Sequence, residues 1–153
     1  MKRLIALCIL LASCTSVQEA SSIYEPEEMI VEETEEKEMK FMIDTTEVTV
    51  AWEDNASVDA LQELVNEDPL TIHMSMYGGF EQVGSIGTSL PRKDVQTTTT
   101  SGDIVLYSGN QIVVFYGSNS WAYTRLGHIQ DKTEEDMRDL LSHGNVDITI
   151  LNE

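Results

Sequence analysis

Two apolar runs, Ile104–Tyr107 and Ile112–Tyr116, stand on either side of Ser108-Gly109-Asn110. Runs this short, rich in Ile, Val and aromatic residues and split by a glycine, read as paired strands rather than as a helix. The string therefore predicts an antiparallel hairpin with a glycine-containing turn, and the rest of the chain has to build around it. Four other segments repeat the strand theme. Met39–Ile43 and Glu47–Trp52 alternate apolar and polar residues around the Asp44–Glu47 turn, Leu70–Tyr77 follows Pro69, and Val146–Leu151 alternates again. Gln96–Gly102 suits an edge strand or a loop leading into Asp103.

Helical spacing occurs twice. Val58, Leu61, Leu64 and Val65 fall on one face behind Asn55 or Ser57 as a cap. In the second segment Thr133 caps, Asp136 stands where a capping-box acid belongs, Met137, Leu140 and Leu141 face inward, and Gly144 ends the turn. Many short strands, two short helices and no strand–helix–strand rhythm predict a mainly β fold, an antiparallel barrel or sandwich with helical plugs.

Charge divides the chain before any motif does. The 153 residues carry 27 acidic and 9 basic side chains, net −18, and Glu19 to Glu38 holds nine glutamates against the single Lys37. Like-charge blocks repel themselves and stay extended. Residues 14–38 are expected to be an acidic tether averaging about 27 Å or more from end to end, and 39–153 the folded domain. Such acidity disfavours nucleic acid and anionic lipid as partners and favours cationic ones.

Ahead of the tether, Lys2 and Arg3 precede the apolar run Leu4–Ala12. A membrane span needs about 20 apolar residues, so this run suits the core of a secretory signal over residues 1–13 instead. Leu11-Ala12-Ser13-Cys14 resembles the lipobox of bacterial lipoproteins. That resemblance implies cleavage before Cys14, lipidation of its thiol, and an exported protein held at the bacterial cell envelope, on the periplasmic side or at the outer membrane. Membrane contact would then run through the lipid anchor only. With Cys8 removed and Cys14 acylated the mature chain has no free thiol, which excludes cysteine catalysis, disulfides and cysteine–metal sites.

The candidate site comes from Tyr116–Ile129, YGSNSWAYTRLGHI. In an extended chain Trp121, Tyr123 and Arg125 share one face while Ala122, Thr124 and Leu126 share the other. A planar guanidinium beside aromatic rings suits a carboxylate or a peptide carbonyl. The competing reading makes these core aromatics plus an arginine paired with one of the many acids. Tyr77, Gly78 and Gly79 join the candidate surface, the glycines supplying turns with φ above zero or room for a ligand backbone. His73-Met74-Ser75-Met76 invites a copper site. Strand periodicity instead puts Met74 and Met76 together with Ile72 in the core and His73 on the opposite face, so no metal and no cofactor is expected.

Asp54–Ser57, Pro69–Gly79, Ser89–Pro91, the long string Ser101–Ile129 and Gly144–Ile150 together resemble the bacterial cyclophilin-like domain family, over nearly all of 39–152. The resemblance implies a closed antiparallel eight-stranded barrel with two short helices. Cyclophilins proper are peptidyl-prolyl isomerases whose catalytic arginine sits in a Phe-His-Arg string. The corresponding stretch here, Phe80–Lys93, has no arginine before Pro91. No catalytic residue is therefore assigned. The expected function is a non-catalytic module binding a peptide or small molecule; the alternative is a weak prolyl isomerase acting on envelope proteins.

Overall fold

A computed structural model describes residues 38–153. The signal segment, Cys14 and the tether as far as Lys37 lie outside the described residues. In chain order the elements are β1 (Met39–Ile43), β2 (Thr46–Val48), β3 (Val50–Trp52), α1 (Ala56–Leu64), β4 (Leu70–His73), β5 (Ser75–Tyr77) and β6 (Glu81–Ser85). They continue with β7 (Val95–Thr98), β8 (Asp103–Tyr107), β9 (Gln111–Phe115), β10 (Ser120–Ile129), α2 (Glu134–Leu141) and β11 (Asp147–Asn152). No helix among the described residues is long and apolar enough to cross a membrane.

The fold is mainly β with two helices, as the sequence predicts, but the hydrogen-bond ladders do not close into one eight-stranded barrel. They form a four-stranded sheet, β2-β1-β11-β4, and a seven-stranded sheet, β3-β10-β8-β9-β6-β5, with β7 paired on β10. The division falls at two residues. Thr49 separates β2 from β3, and its N–H turns to Asp131 Oδ1 at 2.9 Å. Met74 separates β4 from β5 and sends its side chain fully into the core. At each corner the chain leaves one sheet for the other, so segments that read as single strands are two strands each.

The predicted hairpins form in register: Phe41 faces Val48 across β1 and β2, and Val105 faces Val113 across β8 and β9. Asn55 is the cap of α1, its Oδ1 accepting from the N–H groups of Ser57 and Val58. Thr133 and Asp136 complete the capping box of α2, a device that satisfies two N–H groups left free at a helix start.

The main core gathers Phe41, Leu61, Ile72, Leu106, Met137 and Ile148 with their neighbours from both sheets and both helices. Full burial of each such side chain contributes about 1.5–3 kcal/mol. A second cluster, Val105, Val113, Phe115 and Tyr123 with Phe80 and Val83, is separate from it. On β8 and β9 the alternate residues Ile104, Leu106, Ile112 and Val114 belong to the first cluster. These strands are therefore buried on both faces, which is why they read as continuous apolar runs rather than alternating ones.

One core expectation fails. Met74 is buried, but Met76 is 41% exposed, because the corner at Met74 ends the alternation and leaves all three residues of β5 outside.

Candidate binding site

The second cluster is the base from which the site rises. Along β10, Trp121, Tyr123 and Arg125 alternate with Leu126, which packs in the main core on the other face, and the register shifts between Arg125 and Gly127. Tyr123 is buried edge-on against Phe115 and Tyr107, with ring centroids 5.8 and 6.1 Å away. Its hydroxyl accepts a hydrogen bond from Asn119 Nδ2 at 3.0 Å. Pairing of β7 with Ser120–Tyr123 fixes this end of β10, and Trp121 stands out from it 57% exposed.

Across the sheet, Tyr77 of β5 lies directly opposite Glu81 of β6, and Glu81 lies opposite Phe115 of β9. A cavity of about 480 Å³ opens between these strands. Four aromatic side chains line it, Tyr77, Tyr107, Trp121 and Tyr123, with Val83 and Val113 adding aliphatic surface. Its polar lining is Glu81, Gln111 and Asn119. Among the described residues no basic side chain lines it.

Glu81 is the unusual member. It is only 6% exposed, and its Oε2 is buried without a hydrogen-bond partner among the described residues. Loss of solvent pushes its carboxyl up to about 7, because burial disfavours the charged form. Tyr123 is likewise held above its ordinary value, chiefly by burial and against the Asn119 hydrogen bond.

Arg125 does not line the cavity. Its Nη2 donates to Asp103 Oδ1 at 2.8 Å and its Nε lies 3.4 Å from Glu53 Oε1. His128 Nδ1 shares the same Asp103 oxygen at 2.8 Å, while Asp103 Oδ2 accepts from the N–H of Thr100. Asp103 is almost wholly buried, so it anchors a compact polar cluster beyond the cavity, and the guanidinium is engaged by two carboxylates.

Of the residues picked out in the sequence, Tyr77, Trp121 and Tyr123 meet in one cavity. Gly78 and Gly79, with φ of 62° and 73°, make the turn that carries Tyr77 toward β6. Gly117 does not take a positive φ; a Cβ there would strike Phe80 Cβ at 2.7 Å, so the bare glycine makes room for Phe80 rather than for a ligand. His73 pairs with Asp147 at the surface, and no group of three potential metal-ligating side chains is present among the described residues.

Sequence reasoning missed Glu81, Tyr107, Gln111 and Asn119. Tyr107 and Gln111 were within reach: both flank the predicted Ser108–Asn110 turn, on the face alternate to Leu106 and Ile112. Nothing in the local pattern distinguishes Glu81 from the other 26 acidic residues.

Comparison with known proteins agrees with this architecture. The sequence model of the cyclophilin-like family matches residues 41–151. A search of curated proteins gives no match. Among solved structures, McbB in complex with tryptophan is similar at a TM-score of 0.56 and 11% identity, over 76% of this chain and 45% of McbB. This chain thus spans less than half the length of that neighbour, and the likeness is one of fold. The chain belongs to the cyclophilin-like family.

Proposed function

We propose that this chain is an exported, lipid-anchored binding module that seats a peptide or small molecule in the aromatic cavity and does no covalent chemistry on it. The observation that carries this reading is the cavity itself. At about 480 Å³ it falls within the roughly 300–1,000 Å³ usual for ligand sites, and it combines apolar walls with a few converging polar groups, as such sites do. Two of its rings, Tyr77 and Trp121, are 66% and 57% exposed, a costly way to leave large aromatics unless something covers them. The weak-isomerase reading has less support. It needs a donor beside the prolyl nitrogen, and Arg125 is held by Asp103 and Glu53 outside the cavity.

Tryptophan emission tests the reading directly. The chain has two tryptophans: Trp52 packs on Phe41 and donates to Met39 O at 3.0 Å, whereas Trp121 is at the cavity. Titration with a panel of free amino acids and short peptides is expected to change Trp121 emission. Tryptophan, which McbB carries on a similar fold, joins that panel with NMR shifts of the Trp121 indole as its readout, because free tryptophan emits in the same band. The Trp121→Phe variant should keep Trp52 emission and lose the response. Replacing both Tyr77 and Trp121 by alanine should weaken binding at least about tenfold, as loss of aromatic anchors does. Undiminished affinity in that double variant, or no response to any panel member at millimolar concentration, would remove this reading.

A further inference from the structure

We propose that the ligand of this cavity presents a cationic amine and that Glu81 is its counter-ion. This rests on the aromatic cavity being the binding site; it adds the charge and chemical class of what binds. Glu81 lines the cavity with its Oε2 buried and unpartnered, and an unsatisfied carboxyl in such a place carries a desolvation penalty. Among the described residues the cavity lining offers no cation to relieve it. A protonated amine in the cavity supplies what is missing, a positive charge beside the Glu81 carboxyl and N–H donors for the part of it that faces the cavity.

The rest of the lining suits the same guest. Ring faces attract cations, most strongly that of tryptophan, and Tyr77, Tyr107, Trp121 and Tyr123 surround the space. Asn119 and Gln111 are neutral and leave the charge of the guest to Glu81. A carboxylate ligand would meet one carboxyl and no base. The chain as a whole, at net −18, also draws cations toward it.

The groups facing Glu81 define how binding depends on pH. Tyr77 opposes it on β5, Phe115 opposes it on β9, and Tyr107 and Tyr123 come from β8 and β10. Tyr123 is held above its usual phenol value, so Glu81 is the lining group that changes charge near neutrality. In the empty site below pH 7 Glu81 holds its proton. When an ammonium group enters, the Oε–H bond breaks, the proton leaves to bulk water, and a carboxylate–ammonium pair remains. Affinity for a fixed cation therefore rises with pH up to about 7 and levels off above it.

The test uses benzylammonium, neutral benzyl alcohol and benzoate, three probes of similar shape and different charge, read by Trp121 emission and by NMR shifts of the Trp121 indole. Benzylammonium should bind best, gaining up to about tenfold per pH unit between pH 5 and 7. Glu81→Gln should weaken it about tenfold or more, as loss of one member of a buried charge pair does, and should abolish the pH dependence, with benzyl alcohol losing much less than benzylammonium. Calorimetry in two buffers of different ionisation enthalpy should show proton release at pH 6.5 in the wild type only. If benzyl alcohol or benzoate binds as well as benzylammonium, or binding strengthens as pH falls, the cavity remains a ligand site and the cationic assignment is overturned. If no probe perturbs Trp121, the site and the assignment fail together.

Discussion

At Glu81 a single side chain ties stability to the same protonation that binding would use. Its carboxyl is raised from 4.5 to about 7 by burial, so between those values the folded chain holds a proton that the unfolded chain has lost. Stability is then fully present below pH 4.5 and declines as pH rises toward 7. At about 1.4 kcal/mol per pH unit, the loss approaches about 3 kcal/mol. Glu81→Gln keeps the shape and removes the ionisation. It should be more stable than wild type at pH 8, equal to it within about 1 kcal/mol at pH 4.5, and flatter in between. Urea unfolding at a series of pH values checks this; parallel profiles for the two proteins would show that Glu81 reaches solvent freely. Arg125 shows the converse case. Alternation puts it on one face with Trp121 and Tyr123, but its distant partners Asp103 and Glu53 decide what it does, and no local pattern reports them.

Elements were legible where packing is local. The Ser108–Asn110 hairpin, the Asp44–Glu47 hairpin and both caps depend on residues within a few positions of each other, and all form. What period-2 reading cannot report is a corner. Glu47–Trp52 and Leu70–Tyr77 continue the strand pattern across Thr49 and Met74, where the chain changes sheets, and Met76 consequently lies outside. β6 was missed for a related reason: Glu81 and Gln82 are both buried, on opposite faces. In the core Gln82 Nε2 donates to the carbonyls of Leu141 and Gly144, each at 2.7 Å, while its Oε1 is buried without a partner among the described residues. The same strand carries the residue that lets the second corner close. A Cβ on Gly84 would collide with Met74 Sδ and lie 2.5 Å from Ile72 Cγ2. Gly84→Ala should therefore destabilise the domain by about 1–3 kcal/mol, the usual cost of overpacking, despite alanine's better backbone propensity. Thermal unfolding measures it; an unchanged midpoint would mean that β4 and β6 are not held in close contact.

For the whole molecule, acidity and the proposed lipid attachment make opposite demands. A chain at net −18 is repelled by anionic lipid, so residence at a membrane has to come from covalent lipid, and one acyl chain alone holds only weakly. In the proposed lipid-anchored reading, Cys14 of the Leu11–Cys14 string would carry the acyl chains. A cationic ligand would be enriched near so acidic a chain. Metabolic labelling with a radioactive fatty acid should tag the full-length protein expressed in a bacterium, and Cys14→Ser should abolish the tag. The wild type should stay in the membrane fraction through a high-salt wash, because salt screens charge and leaves an acyl anchor in place. The serine variant should leave that fraction while binding benzylammonium as the wild type does. An unlabelled, freely soluble wild type would overturn the anchor, and a wild type released by salt alone would replace it with an electrostatic attachment.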